Sequence, residues 1–342
     1  MKRGLLVLVI GMISLLVLAA CGGGSDGNSS DGDSADSESG KKYVIGASQI
    51  VEHPSLDKAY EGFQAALEEA GLDVEFKYES AQGDQNNLKP ISDGFVADNV
   101  DLIFANSTPA ALSALEATKD ARDIPVLFTS VTDAVESDIV EAMDKPGENI
   151  TGVVDLHPDA IKETVNFIDK YFPDAAVGLI YNAGESNSVT QIEAVKAAGE
   201  GTSLSFEERT VGNSSEVQQA AQSLVSEVDL FYIVTDNMVV SALESVVSVA
   251  NEQDIPLVVG EPDSLAKGGF VTFGIDYFTI GKRTGEMAVE ILRDGKSPQD
   301  INVEYPPEIQ LFINKGAAEE QGIEWNADWD GDAQFVETVE VE

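Results

Sequence analysis

From residue 41 onward, short apolar runs alternate with longer stretches whose apolar positions recur every three or four residues. Residues 43–48, 73–78, 101–105 and 125–129 read as strands, and residues 55–70, 84–99 and 109–118 as helices. The first helix stops at Gly71, a C-cap signal. The rhythm restarts after a join at residues 151–155. Strands then fall at 177–181, 203–209, 230–234, 257–259 and 270–274, with helices at 159–171, 188–198, 215–225, 238–251 and 280–293. Short buried strands alternating with amphipathic helices predict parallel sheets with helices on both faces. Two such halves predict an α/β chain of two doubly wound parallel-sheet lobes.

The join carries no long flexible spacer, so short strands should connect the lobes. A three-crossing hinge is expected, near residues 153–155, near 274–277 and within 304–310, with the helix at 280–293 packing back on the first lobe. The expected division gives residues 41–154 and 276–303 to the first lobe, and 155–275 and 304–322 to the second. Residues 323–342 read as a solvated acidic tail.

Ahead of residue 41 the texture differs. Met1-Lys2-Arg3 is followed by an apolar run over residues 5–20, then by Cys21 and three glycines. A basic start, an apolar stretch and small residues before the cut site predict an exported signal peptide over residues 1–20, and the run is too short for a membrane span. Cys21 is the one cysteine of the chain. It stands where bacterial lipoprotein signals place their lipid-modified cysteine, which predicts lipidation and a lipid anchor on the extracytoplasmic face of the cell membrane. Residues 21–40 are Gly, Ser, Asp and Asn with almost nothing apolar, a disordered tether with a reach of roughly 25 Å.

Composition narrows the partners. The 342 residues suffice for one large or two medium domains, and 61 acids against 20 bases give a formal charge of -41. That balance excludes nucleic acid and an anionic lipid surface as partners, and suits a surface working in high salt or at alkaline pH. With Cys21 lipidated, no thiol remains for a disulfide or a thiolate metal site.

In open parallel sheets, ligands bind beyond the carboxyl ends of the strands. The loops there are small and rich in hydroxyls and amides. In the first half they hold Gln49, Ser107 with Thr108, and Ser130 with Thr132; in the second, Asn182, Glu185 and Asn187, then Thr235, Asp236 and Asn237, and finally Asp276 and Tyr277. Ser107 and Thr108 precede Pro109, a helix-capping arrangement whose free N–H groups also suit a carboxylate. Ser130 and Thr132 add hydroxyl donors. Asp236 and Asp276 are candidates for an ammonium, and Tyr277 and Phe278 for walling an apolar side chain; helix capping and hinge packing are the alternatives for these residues. No Arg lies in these loops, which argues against a phosphate. The two histidines, His53 and His157, make no zinc motif, and neither a nucleophile elbow nor a phosphate-binding glycine loop is present. No cofactor, metal or catalytic residue is expected, and the chain reads as a non-enzyme.

Several stretches together resemble a known family: QIVEHPSL at 49–56, AQGDQ at 81–85, FVADNVDLI at 95–103, FTSVTD at 128–133, KPGENITG at 145–152, IYNAGESNS at 180–188, NSSEVQQAAQSL at 213–224, TDNMVVSAL at 235–243 and GIDYFTIGKRTGEM at 274–287. They resemble the substrate-binding lipoproteins of ABC-type importers with the type I periplasmic-binding fold, within the family that includes tryptophan/tyrosine-type binding proteins. Residues 260–263 fit that pattern least well. The resemblance implies a monomer that captures a small solute between two closing lobes and hands it to an ABC permease with its ATPase. It implies an amino acid as solute, aromatic ones included. A sugar or nucleoside as solute, and a sensor role instead of transport, stay open as alternatives.

Overall fold

The computed structural model describes residues 41–339. The readings of the signal peptide, the tether and Cys21 lie outside the described residues. The chain runs β1 (Lys42–Gln49), α1 (Pro54–Glu69), β2 (Asp73–Ser80), α2 (Leu88–Ala97), β3 (Leu102–Asn106), α3 (Thr108–Ala117), β4 (Val126–Val131) and β5 (Ile150–Val154). It continues through α4 (Ala160–Tyr171), β6 (Ala176–Tyr181), α5 (Ser186–Ala198), β7 (Ser205–Thr210), α6 (Val217–Leu224), β8 (Leu230–Ile233), α7 (Asn237–Ser241), α8 (Leu243–Gln253), β9 (Leu257–Val259), α9 (Asp263–Ala266) and β10 (Val271–Gly274). α10 (Tyr277–Leu292), β11 (Gln310–Ile313), α11 (Lys315–Glu320) and β12 (Ala333–Phe335) complete it.

The strands form two sheets, ordered β2-β1-β3-β4-β5 and β12-β11-β10-β9-β8-β6-β7. All pairings are parallel except β10 with β11. β3, β4, β5, β8 and β9 are buried along their whole length, as strands covered on both faces must be. Each sheet carries an apolar core on either side. In the first lobe these centre on Phe95, Ile103 and Phe128, and on Phe63, Phe104 and Leu127. In the second they centre on Phe167, Leu179 and Phe270, and on Phe231, Leu243 and Val246.

The chain passes between the sheets three times: after β5, between β10 and α10, and from Glu304 into β11. Val154 N–H donates to Glu304 O (3.0 Å) and Glu304 N–H to Gly152 O (3.1 Å), so the first and third crossings lie side by side. Arg283 on α10 clamps Glu304 with two bonds, from Nε (2.9 Å) and Nη2 (2.8 Å).

α10 returns to the first lobe and packs on α1. The contact is close because small residues let the two backbones meet. A Cβ placed on Gly281 would sit 1.8 Å from Ala59 O, and one on Gly62 would sit 2.1 Å from Phe278 O. This packing fixes the amino ends of both helices, which carry His53, Ser55 and Tyr277 toward the space between the lobes.

Two segments differ from the sequence expectation. The helix expected over 238–251 breaks at Ala242, which leaves the helical region (φ -114°, ψ 21°), giving α7 and α8. The stretch read as a solvated acidic tail is partly structural: β12 pairs with β11, and Trp329 is buried against Phe167, Tyr171 and Phe270. Apolar burial of one indole outweighs the solvation of the acids beside it, whose side chains still reach water.

Substituting Gly281→Ala should cost at least about 3 kcal/mol, because backbone must move against backbone. Urea unfolding measures it, and a loss below about 1 kcal/mol would contradict the packing described.

Candidate functional site

A cavity lies between the lobes, at the carboxyl ends of the strands; the space free of protein atoms there, open solvent included, is about 420 Å³. The first lobe lines it with Val51, His53, Ser55, Leu56, Ser130 and Thr132; the second with Asn187, Thr235, Asp236, Asn237, Val240 and Glu261. Asp155 and Tyr277 come from the crossings.

Local backbone aims several of these groups. Ser130 occupies a bulge where the pairing of β4 with β5 slips, with φ 55°, a left-handed conformation that a serine adopts at a cost. Its Oγ is buried and has no partner. Ser107 is strained too, with φ 140°, and its Oγ accepts from Ala110 N–H (3.3 Å) as the cap of α3. Thr108 Oγ1 accepts from Thr132 N–H (3.3 Å), tying the β3 loop to the β4 loop.

His53 caps α1: its Nδ1 accepts from Ser55 N–H (3.3 Å). Burial, with the Lys267 charge adding to it, pushes His53 down to about 4, so the ring is neutral near pH 7. A neutral ring that accepts at Nδ1 carries its proton on Nε2. That N–H is buried and unpartnered, and its nearest carboxyl oxygen, Glu261 Oε1, is 3.8 Å away. The two are neighbours and not an ion pair.

Asp155 supplies the opposite chemistry. Tyr277 donates its hydroxyl to Oδ2 (2.8 Å), while Oδ1 is out of reach of solvent and has no partner. Burial raises the Asp155 carboxyl to about 6 against the bond from Tyr277. Burial and the charges of Asp155 and Glu261 hold the Tyr277 phenol well above its usual range, so it stays a donor. In the second lobe, Asn187 Oδ1 is likewise buried without a partner.

Direct bonds also join the lobes. Ser55 Oγ contacts Glu261 Oε2 (2.6 Å) and Asp263 Oδ2 (2.8 Å), and Lys58 Nζ pairs with Asp263 Oδ1. A serine hydroxyl has one proton to give, so two carboxyl contacts require a second proton on the cluster. Burial and the Asp263 charge raise the Glu261 carboxyl. Across the other side, Gln191 Nε2 donates to Thr132 Oγ1 (3.4 Å), while Gln191 Oε1 accepts from Thr235 N–H (3.2 Å) and Oγ1 (2.8 Å).

Of the residues singled out in the sequence, Ser130, Thr132, Asn187, Thr235, Asp236, Asn237 and Tyr277 line the cavity. Asp236 spends its oxygens on Val239 N–H (2.8 Å) and Asn182 N–H (2.6 Å). Glu185 stands behind the wall, bonded to Asn237. Asn182 lines a separate groove, which shares Val51 with the cavity. Gln49 is buried and bridges Asp57 (2.8 Å) and Asn106 (2.9 Å). Asp276 is exposed, caps α10 and lines a separate groove across the hinge. His53, Ser55, Asp155, Gln191, Glu261 and Asp263 had no role assigned from the sequence. Asp155 was legible only as a polar residue ending a buried strand at a crossing.

Among the described residues, no group of three or more His, Cys, Asp or Glu side chains could hold a metal ion, and no helix is long and apolar enough to cross a membrane.

Two α/β lobes meeting over a polar cavity are the type I periplasmic-binding fold. The chain belongs to the ABC transporter substrate binding protein family, whose model matches residues 44–333. As a member it binds a small solute for an ABC transporter, outside the cytoplasm, and the family is not one of enzymes. It is 38% identical over 319 residues to a tyrosine-binding protein of Clostridioides difficile, covering 92% of this chain and 90% of that one. It is also similar to a Streptococcus pneumonia protein solved in complex with L-Trp, at 32% identity and TM-score 0.81, over 86% of this chain and 99% of that one. A third relative is the ligand-free, open structure of a Clostridium difficile substrate binding protein with adhesive properties. It is 34% identical with TM-score 0.64, over 87% of this chain and all of that one.

The raised Asp155 carboxyl makes a signed prediction. A folded-state value above the unfolded one means that the folded protein holds the extra proton, so stability falls as pH rises from about 4 to about 6. Asp155→Asn lacks this loss. Between about pH 4 and pH 8, its stability relative to wild type should improve by on the order of 2–3 kcal/mol. Urea unfolding without ligand at both ends of that range measures it, and an unchanged difference would contradict the burial described.

Proposed function

We propose that the protein captures an L-amino acid, aromatic ones foremost, as a lipoprotein anchored through Cys21, and delivers it unaltered to an ABC permease. One observation carries this reading: four buried polar atoms without partners face the cavity region, two donors and two acceptors. Ser130 Oγ–H and His53 Nε2–H suit a carboxylate; Asp155 Oδ1 and Asn187 Oδ1 suit an ammonium. Burying a zwitterion requires partners for both charges, and a buried polar atom without a partner costs about 1–3 kcal/mol. The amino acid resolves both problems together.

The neighbouring groups support the polarity. Asp155, Asp236 and Glu261 line the cavity with acids, and its one histidine is neutral. A cation among them gains; an acidic side chain on the solute does not. Val51, Leu56 and Val240 supply apolar wall for the rest of the solute. Relatives named for tyrosine and solved with L-Trp are consistent with an aromatic side chain. The groups on the two lobes and the crossing make the solute a bridge, so its binding favours the closed arrangement over the open one.

Calorimetric titration against the twenty L-amino acids and a set of hexoses and nucleosides tests the reading. An aromatic L-amino acid is expected to bind, and Asp155→Asn to weaken it by about a hundredfold or more. A hexose or nucleoside that binds while every amino acid is silent would overturn it.

A further inference from the structure

Behind the second-lobe wall lies a carboxyl group that the contacts above do not use. Glu185 is 3% exposed. It accepts from three amides: Asn237 Nδ2 at 2.6 Å, Asn182 Nδ2 at 3.3 Å and Asn187 Nδ2 at 3.5 Å. Asp236 is the charged neighbour that faces it, and its other partners are amides. Burial, then the Asp236 charge, raises Glu185 to about 7. A buried acid beside another acid, with no cation against it, is a costly arrangement for stability alone.

Its geometry has a consequence for the cavity. An ionised carboxylate only accepts hydrogen bonds, so an amide beside it must turn its NH2 toward it. Asn187 and Asn237 both do so, and both line the cavity. The Thr235 carbonyl, 3.5 Å from Asn187 Nδ2, holds that amide in the same sense. Each amide oxygen is then turned away from Glu185. Asn187 is 3% exposed and its Oδ1 has no partner within the protein.

We propose that Glu185 is a positioning residue that makes the second-lobe wall selective for an ammonium: it orients the amide oxygens of Asn187 and Asn237 as acceptors and places a negative charge behind them. This rests on the amino-acid reading above and deepens it. A hydroxyl in place of the ammonium satisfies fewer of these acceptors and gains nothing from the charge. The wall thereby separates α-amino acids from 2-hydroxy acids of similar size.

The test compares L-tyrosine or L-tryptophan, whichever binds more tightly, with the 2-hydroxy acid of the same side chain. Both are titrated into wild type and Glu185→Gln at about pH 8, where Glu185 is ionised. Gln keeps the shape but releases the amides to turn either way. The preference for the amino acid over the hydroxy acid should fall by about tenfold or more in the variant. Equal weakening of both ligands marks a merely structural role and overturns the proposal, as does an unchanged preference. Should Glu185→Gln not fold, Asn237→Ala removes one oriented oxygen: a reduced preference supports the proposal, and equal weakening or an unchanged preference overturns it. Silence of wild type toward all amino acids would instead overturn the reading on which the proposal rests.

Discussion

Asp155 is held at a lobe crossing with one oxygen bonded to Tyr277 and the other sealed from water with nothing to meet it. Burial of a carboxylate in this way opposes folding, and the raised proton affinity of the group measures that opposition. The rest of the structure keeps it there. α10 starts with Tyr277, and glycines at its contact with α1 bring the two backbones together so that the phenol cannot drift. The Arg283–Glu304 clamp holds the third crossing against the same helix. An uncompensated acid survives in a fold when something outside the chain compensates it, and in the proposed reading the ammonium of the solute does so.

The same logic extends across the cavity. His53 is neutral with its proton aimed at no protein acceptor, and Ser130 is strained into a bulge with its hydroxyl free. These first-lobe groups and Asn187 of the second lobe, whose Oδ1 is also free, lie on opposite sides of a joint that is also bonded directly, through Ser55 to Glu261 and Asp263 and through Gln191 to Thr132. The direct bonds need no solute, so they bias the lobes toward the arrangement in which those contacts form. In the proposed reading the solute adds to that bias by touching both sides. Closure is then a difference between two small sets of contacts, which suits a protein that must also release its cargo.

Much of the architecture was legible in the sequence because apolar runs and helical periodicity record burial directly. β3, β4 and β8 read as uninterrupted apolar strands, and they are buried throughout. The loops after strands pointed to Ser130, Thr132, Asn187 and Asn237, since in parallel sheets those loops face one end. What was illegible depends on partners distant in the chain. Asp155 lies at a crossing instead of a strand-to-helix loop, and its partner Tyr277 is 122 residues away. Gln191 lies inside α5, where a glutamine reads as an ordinary helix residue. Glu261 and Asp263 fall in the stretch that fits the family pattern least, and their contact with Ser55 spans more than 200 residues. Asp236 read as an ammonium partner or a cap; in the fold both its oxygens are taken by backbone N–H groups. Trp329 was hidden by the acids around it, because charge density near a chain end says nothing of a single buried ring.

A crystal structure of the protein with the amino acid that binds most tightly tests the central claim most directly. The account predicts the ammonium nitrogen within hydrogen-bonding distance of Asp155 Oδ1 and Asn187 Oδ1, and the carboxylate on Ser130 Oγ and His53 Nε2. A ligand lying the other way round, or one that leaves Asp155 Oδ1 still without a partner, would contradict it.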